Sequence, residues 1–213
     1  MTPALALRKM RWTVTWTRLM TLAVVLPQSC ISPRFYWIVW SAGWSPCSRR
    51  KKMDKAVQVS MSVNSEAVNR TVEPRQSLAD FIRNELELTG THVGCEHGVC
   101  GACTVRLDGQ IVRGCLTLAV QADGCTVETI EGLTESGEIA DLQNAFVTRN
   151  AAQCGFCTPG MLLTAAELLA ADPGASREEI RKHISGNYCR CTGYQAVVDA
   201  IESTARSRLG EAS

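Results

Sequence analysis

Eight of the eleven cysteines in this chain of 213 residues fall into two groups of four, and the groups differ in spacing. The first is Cys95, Cys100, Cys103 and Cys115, a C-x4-C-x2-C-x11-C run. The second is Cys154, Cys157, Cys189 and Cys191, a C-x2-C-x31-C-x-C run. Thiolates are soft, anionic ligands for transition metals, and four per site is the ligand count of a [2Fe–2S] cluster. Two such sites in one short chain point to an electron relay.

Zinc also takes four cysteines, but structural zinc sites pair two C-x2-4-C knuckles. The first group holds one such knuckle, Cys100/Cys103, and Cys189-Arg190-Cys191 is too tight for one. Structural disulfides belong to oxidising compartments, and the clustered spacing gives no reason to expect them. A Rieske centre needs two histidine ligands on one iron. Cys95-Glu96-His97 supplies one C-x-H, but His92 and His183 complete no second pair, so His97 reads as a loop residue over the first site. Gly94, Gly98 and Gly101 alternate with the first ligands, and Gly155 and Gly186 stand similarly in the second group. A loop wrapping a cluster needs positive φ values and close backbone approach, which glycine permits. Its free N–H groups can then point at the sulfurs. Cys125, outside both groups, reads as a buried free thiol.

The elements that position these loops follow from hydrophobic period. Val57, Val59, Met61 and Val63 alternate with polar residues, which predicts a half-buried strand. Asn64-Ser65 turns it into a second strand over 67–72. Ser77 is placed to cap a helix over 78–86. Thr104–Leu107, Asp108-Gly109 and Ile111–Arg113 predict a hairpin with a type I′ turn. Another short strand is expected over 125–130. Residues 131–137 read as a linker, and beyond it the period becomes helical. Ile139, Leu142 and Phe146 form one stripe; Pro159 opens a helix over 160–171. Ser176 with Glu179 makes a capping box. A last amphipathic helix is expected over 194–206. The reading is therefore α+β: a small mixed sheet carrying a helix over 54–131, then an all-α unit of four helices over 132–213. Both halves of the second cysteine group fall just before helices.

Residues 1–53 stand apart. They carry nine Lys and Arg and no acid, so all 21 acids lie beyond them, and all five tryptophans lie within them. The longest apolar stretch, Leu19 to Leu26, is too short to span a bilayer, which needs about 20 residues. No clear cleavage site follows it, and Arg49-Arg50 precedes no apolar run, as a twin-arginine signal would. The segment reads as a wrongly extended start with Met53 the natural one, as a removed leader, or as a real extension. Cys30 and Cys47 within it are assigned no chemistry. The expected location is cytoplasmic, with no membrane span and no nucleic-acid partner.

The stretches GCEHGVCGACT (94–104), QCGFCTPG (153–160) and GNYCRCTGY (186–194) together resemble the iron–sulfur small subunit of molybdenum hydroxylases. This is the xanthine oxidase family, which includes aerobic carbon monoxide dehydrogenase. The resemblance covers about 54–206, with all eight ligands in order. It implies a plant-ferredoxin-like β-grasp domain followed by a four-helix cluster-binding domain. It implies that Cys95, Cys100, Cys103 and Cys115 hold the cluster near FAD. The cluster of Cys154, Cys157, Cys189 and Cys191 would lie near molybdenum, with Gln153 bonding the pterin across the subunit interface. Molybdenum–pterin and FAD would belong to a large and a medium partner subunit, in a heterotrimer able to dimerise. No G-x-G-x-x-G or P-loop in this chain could hold them. The competing reading is a free ferredoxin-like carrier or an iron–sulfur regulator. A carrier needs one ferredoxin domain, so the helical second half favours the complex.

Overall fold

The computed structural model describes residues 56–210. The segment 1–53, with Cys30, Cys47 and the start expected at Met53, lies outside the described residues. Strand β1 (Val57–Val63) turns through Asn64 and Ser65, both at positive φ, into β2 (Glu66–Val72), its antiparallel neighbour. Helix α1 (Leu78–Asn84) follows; the Ser77 hydroxyl accepts from the Asp80 amide, closing the cap expected there. Strands β3 (Thr104–Leu107) and β4 (Gln110–Arg113) form the hairpin, with Asp108 and Gly109 at φ 47° and 83° as a type I′ turn requires. Strand β5 (Thr126–Glu128) enters between β1 and β3, parallel to the first and antiparallel to the second. The order is β2-β1-β5-β3-β4, a mixed sheet. Val59, Met61, Val63, Val105 and Val127 pack from it onto Leu78, Phe81 and Ile82 of α1. Val57 differs from the alternation: it is exposed, at the open end of the β1–β2 pair.

The helical half holds α2 (Ile130–Glu135), α3 (Ala140–Thr148), α4 (Thr158–Ala171), α5 (Arg177–His183), a 3-10 turn (Ile184–Gly186) and α6 (Gln195–Arg208). That is six helical segments where four are expected. The added α2 occupies most of the expected linker. Its reason is visible in the packing: Ile130 and Leu133, three apart, are both buried in the helical core. Met161, Leu163, Leu169, Ile180, Val197 and Ile201 complete that core. Ser176 and Glu179 make the capping box of α5. No helix among the described residues is long and apolar enough to cross a membrane.

The two halves are joined by polar contacts as well as by chain. Arg106 of β3 bridges Glu128 of β5 at 3.3 Å and Glu138, just before α3, at 2.9 Å. Glu167 of α4 accepts from the Ile111 amide of β4 at 3.1 Å and faces His183 at 3.1 Å.

Candidate metal centres

The loop between α1 and β3 carries Cys95, Cys100 and Cys103, and the turn after β4 supplies Cys115. The thiols meet in two pairs. Cys95 faces Cys100, and Cys103 faces Cys115. In the second group, Cys157 forms the cap of α4 and Cys154 precedes it, while Cys189 and Cys191 lie between the 3-10 turn and α6. Again there are two pairs: Cys154 with Cys191, sulfurs 3.6 Å apart, and Cys157 with Cys189.

Two thiolates on one tetrahedral metal with bonds of about 2.3 Å stand roughly 3.8 Å apart. The Cys154–Cys191 pair at 3.6 Å therefore suits one metal atom. Four thiols in each group match the ligand count of a two-iron core.

Backbone and hydroxyl donors already point at these sulfurs. The Cys100 amide donates to Cys95 Sγ at 3.4 Å. That bond, with the His97 and Val99 amides, lowers the Cys95 thiol to about 6, so the thiolate is favoured before any metal arrives. The Thr192 hydroxyl donates to Cys189 Sγ at 3.1 Å and its amide at 3.4 Å. Burial pushes Cys189 up, but these donors outweigh it and the thiol is lowered. Desolvation prevails elsewhere: Cys103, 1% exposed, is pushed up to about 11 against a backbone hydrogen bond from Cys115, and burial with the facing Cys189 pushes Cys157 up to about 12. Each site therefore joins a buried thiol pushed up by desolvation to another whose sulfur is held lower by hydrogen-bond donors.

The sites differ in exposure. Cys154 and Cys191 are exposed, and Gln153 beside Cys154 is exposed too. His97 is exposed, its Nδ1 on the Cys95 carbonyl. Of the cluster-loop glycines, Gly98, Gly101 and Gly155 have positive φ; Gly94 and Gly186 do not. Those two serve close approach: a Cβ on Gly94 would stand 3.2 Å from Cys100 Sγ, and one on Gly186 2.7 Å from the Arg113 guanidinium. Cys125 corrects the expectation of a buried thiol. It is half-exposed, because its strand begins only at Thr126 and the thiol faces the Gln121 and Asp123 carbonyls of the preceding turn.

The sites are also wired to each other. The Tyr188 amide, next to Cys189, donates to the Cys100 carbonyl at 2.8 Å. His92 stacks on Phe156 with ring centroids 4.7 Å apart, and its Nδ1 donates to the Phe156 carbonyl at 2.8 Å. Sequence reasoning missed Thr192 and the Tyr194 hydroxyl, which accepts from the Cys189 amide at 2.8 Å. A signal existed: both lie within three residues of Cys191 in the CRCTGY run.

Comparison with known proteins agrees with this geometry. Residues 61–124 match a 2Fe-2S iron-sulfur cluster binding domain, and residues 129–202 match a [2Fe-2S] binding domain. The chain is 55% identical over 148 residues to the caffeine dehydrogenase subunit gamma of Pseudomonas sp. (strain CBB1), covering 68% of this chain and 89% of that one. It is 50% identical over 145 residues to the nicotine 6-hydroxylase small subunit of Paenarthrobacter nicotinovorans, covering 68% and 87%. Among solved structures, a chain of quinoline 2-oxidoreductase from Pseudomonas putida 86 superposes with a TM-score of 0.68 at 49% identity, covering 74% of this chain and 99% of that one. Cluster-binding modules in this order, on a chain this close to small subunits along nearly their whole length, place the protein in the family of iron–sulfur small subunits of molybdenum hydroxylases.

Proposed function

We propose that this chain carries electrons from a molybdenum–pterin site on a large partner subunit to FAD on a medium one, through two [2Fe–2S] clusters. Cys95, Cys100, Cys103 and Cys115 would hold the cluster on the FAD side. Cys154, Cys157, Cys189 and Cys191 would hold the one on the molybdenum side, with Gln153 as the pterin contact. The observation that carries this reading is the arrangement of both cysteine groups as two facing pairs, joined by the Tyr188–Cys100 hydrogen bond. A [2Fe–2S] cluster supplies one-electron transfer, which splits a two-electron oxidation into steps that flavin can accept singly.

The rest is work for the chain's own residues. Amides of His97, Val99 and Cys100 and the Thr192 hydroxyl hold negative charge on sulfur. Burial of Cys103 and Cys157 keeps water from the inner side of each site. Exposure of Gln153, Cys154 and Cys191 leaves one site open to a partner surface. That exposed pair supports this orientation of the relay, because a pterin on another subunit needs an approach to the sulfurs. The names of three relatives carry the nitrogen heterocycles caffeine, nicotine and quinoline, so that class is the first to test as reductant of the complex.

The test has two parts. Anaerobically purified protein should yield about four iron and four acid-labile sulfides per chain, from two clusters of four cysteines each. It should co-purify with a molybdenum-containing chain and a FAD-containing chain. Stoichiometric zinc without labile sulfide would overturn the cluster assignment, and a lone monomer carrying clusters would return the reading to a free carrier.

A further inference from the structure

The contact between the two cysteine loops has a keystone. Asn187 is 1% exposed and lies two residues before Cys189. Its Nδ2 donates at 3.2 Å to the carbonyl of Gly101, the residue after Cys100. Its Oδ1 lies 3.1 Å from the Thr164 hydroxyl of α4, which also lies 2.8 Å from the Gly160 carbonyl. The same Gly101 carbonyl accepts from the Thr104 hydroxyl at 2.6 Å. Arg113 completes the frame: one guanidinium nitrogen donates to the Thr104 hydroxyl, the other to the Gly186 carbonyl at 2.8 Å. A buried primary amide with both ends engaged is costly to misplace, since each lost partner leaves a desolvated polar atom.

The backbones at this point meet with no room to spare. A Cβ on Gly101 would stand 2.5 Å from the Gly186 carbonyl, and one on Gly160 2.3 Å from the Gly101 carbonyl. The Asn187 amide therefore fixes three elements at once: the first cysteine loop, the second cysteine loop and α4.

The geometry points to Asn187, held by Thr164 and seconded by Arg113, as the positioning residue for electron transfer between the two cysteine sites. The inference rests on the relay proposed above. The step moves one electron from the Cys154/Cys157/Cys189/Cys191 site, which is oxidised, to the Cys95/Cys100/Cys103/Cys115 site, which is reduced. No bond is made or broken and no proton moves. Asn187 touches neither set of sulfurs; it acts by holding the Tyr188–Cys100 hydrogen bond and the separation of the sites.

The test uses the assembled complex carrying Asn187→Ala, with Thr164→Val as a second variant that keeps Asn187 but removes the hydroxyl orienting it. Iron and labile sulfide are measured first. Low-temperature EPR of the fully reduced protein then reads the magnetic splitting between the two reduced clusters, which depends on their separation and on the bonds between them. This splitting reports only on molecules holding both clusters, so partial loading does not mask it. Asn187→Ala should keep both signals at their own g values, shrink the splitting, and slow flavin reduction by substrate about tenfold, the lower end of what loss of a residue supporting metal ligands costs. Thr164→Val should move both readouts the same way by less. Unchanged splitting and rate in fully loaded Asn187→Ala would overturn the inference. If that variant assembles no clusters, unchanged splitting and rate in Thr164→Val decide against it equally. Failure of the relay itself looks different: the parent protein would show one cluster, or two with no splitting.

Discussion

Gly160 offers a sharp test of how tightly the two halves meet. It stands in the first turn of α4, where exchanging Gly for Ala ordinarily stabilises a helix by about 1 kcal/mol. Here the sign should reverse. The new methyl would stand 2.3 Å from the Gly101 carbonyl oxygen, 3.2 Å from Asn187 Nδ2 and 3.3 Å from the Gly101 carbonyl carbon. The first neighbour is backbone, held by Thr104 and Asn187, and cannot swing away. Relief requires the cysteine loop to move off α4. Overpacking of this kind costs about 1–3 kcal/mol, and losing the Asn187–Gly101 bond costs about 1 kcal/mol more. Set against the helix gain, Gly160→Ala should destabilise the protein by about 1–3 kcal/mol, which lowers the melting temperature by roughly 3–10 °C for a domain of this size. Circular dichroism and visible absorbance, followed in one thermal scan, read helix loss and cluster bleaching together. Gly174→Ala is the control: its Cβ would meet only the Asp172 carboxylate, at 3.6 Å, so the change should stay within about 0.5 kcal/mol. A Gly160→Ala protein as stable as its parent, or more so, would refute the close-contact reasoning.

Cys115→Ser should abolish the EPR signal of the first cluster and spare the second, while Cys191→Ser should do the reverse; loss of both signals from either change would show that the sites assemble as one unit. Gln153→Ala should slow reduction of the clusters by substrate and leave reduction through the flavin side unchanged, read by rapid-mixing absorbance; equal slowing of both routes, or of neither, removes Gln153 from the molybdenum side. Asp141→Asn should lower stability at neutral pH by about 0.5 kcal/mol, the scale of a partly exposed ion pair. Arg208 holds the Asp141 carboxyl below its ordinary value of 3.8, so the pair's contribution is present above that pH and fades as pH falls through the lowered value. Parent and variant melting curves should therefore converge in acid; a gap that persists there would mean the ion pair is not its source.

The division of the cysteines into two groups was legible because cysteine spacing is a local property and survives without knowledge of the fold. The sheet was legible for a similar reason: alternation at Val59, Met61 and Val63 reports one buried face directly. Helix α2 was not, since its run is polar and interrupted by Gly132, and only Ile130 and Leu133 betray a buried side. Gly132 is there for packing, as a Cβ would stand 2.3 Å from Asn64 Oδ1. Cys125 misled because a cysteine before a strand resembles one within it. The joint between the halves was illegible in principle. Gly101 and Asn187 are 86 positions apart, and their contact is made by a carbonyl that every sequence possesses.

Cys103 and Cys157, the two most buried of the eight thiols, bear on how the protein matures. A preformed cluster or a sulfide donor arriving from solvent could not reach either one once its loop has closed. Insertion must then accompany loop closure rather than follow it, and metal supply becomes part of the folding reaction. Under the proposed function, a chain short of iron would close these loops less firmly, and its docking onto partner subunits would then depend on metal supply.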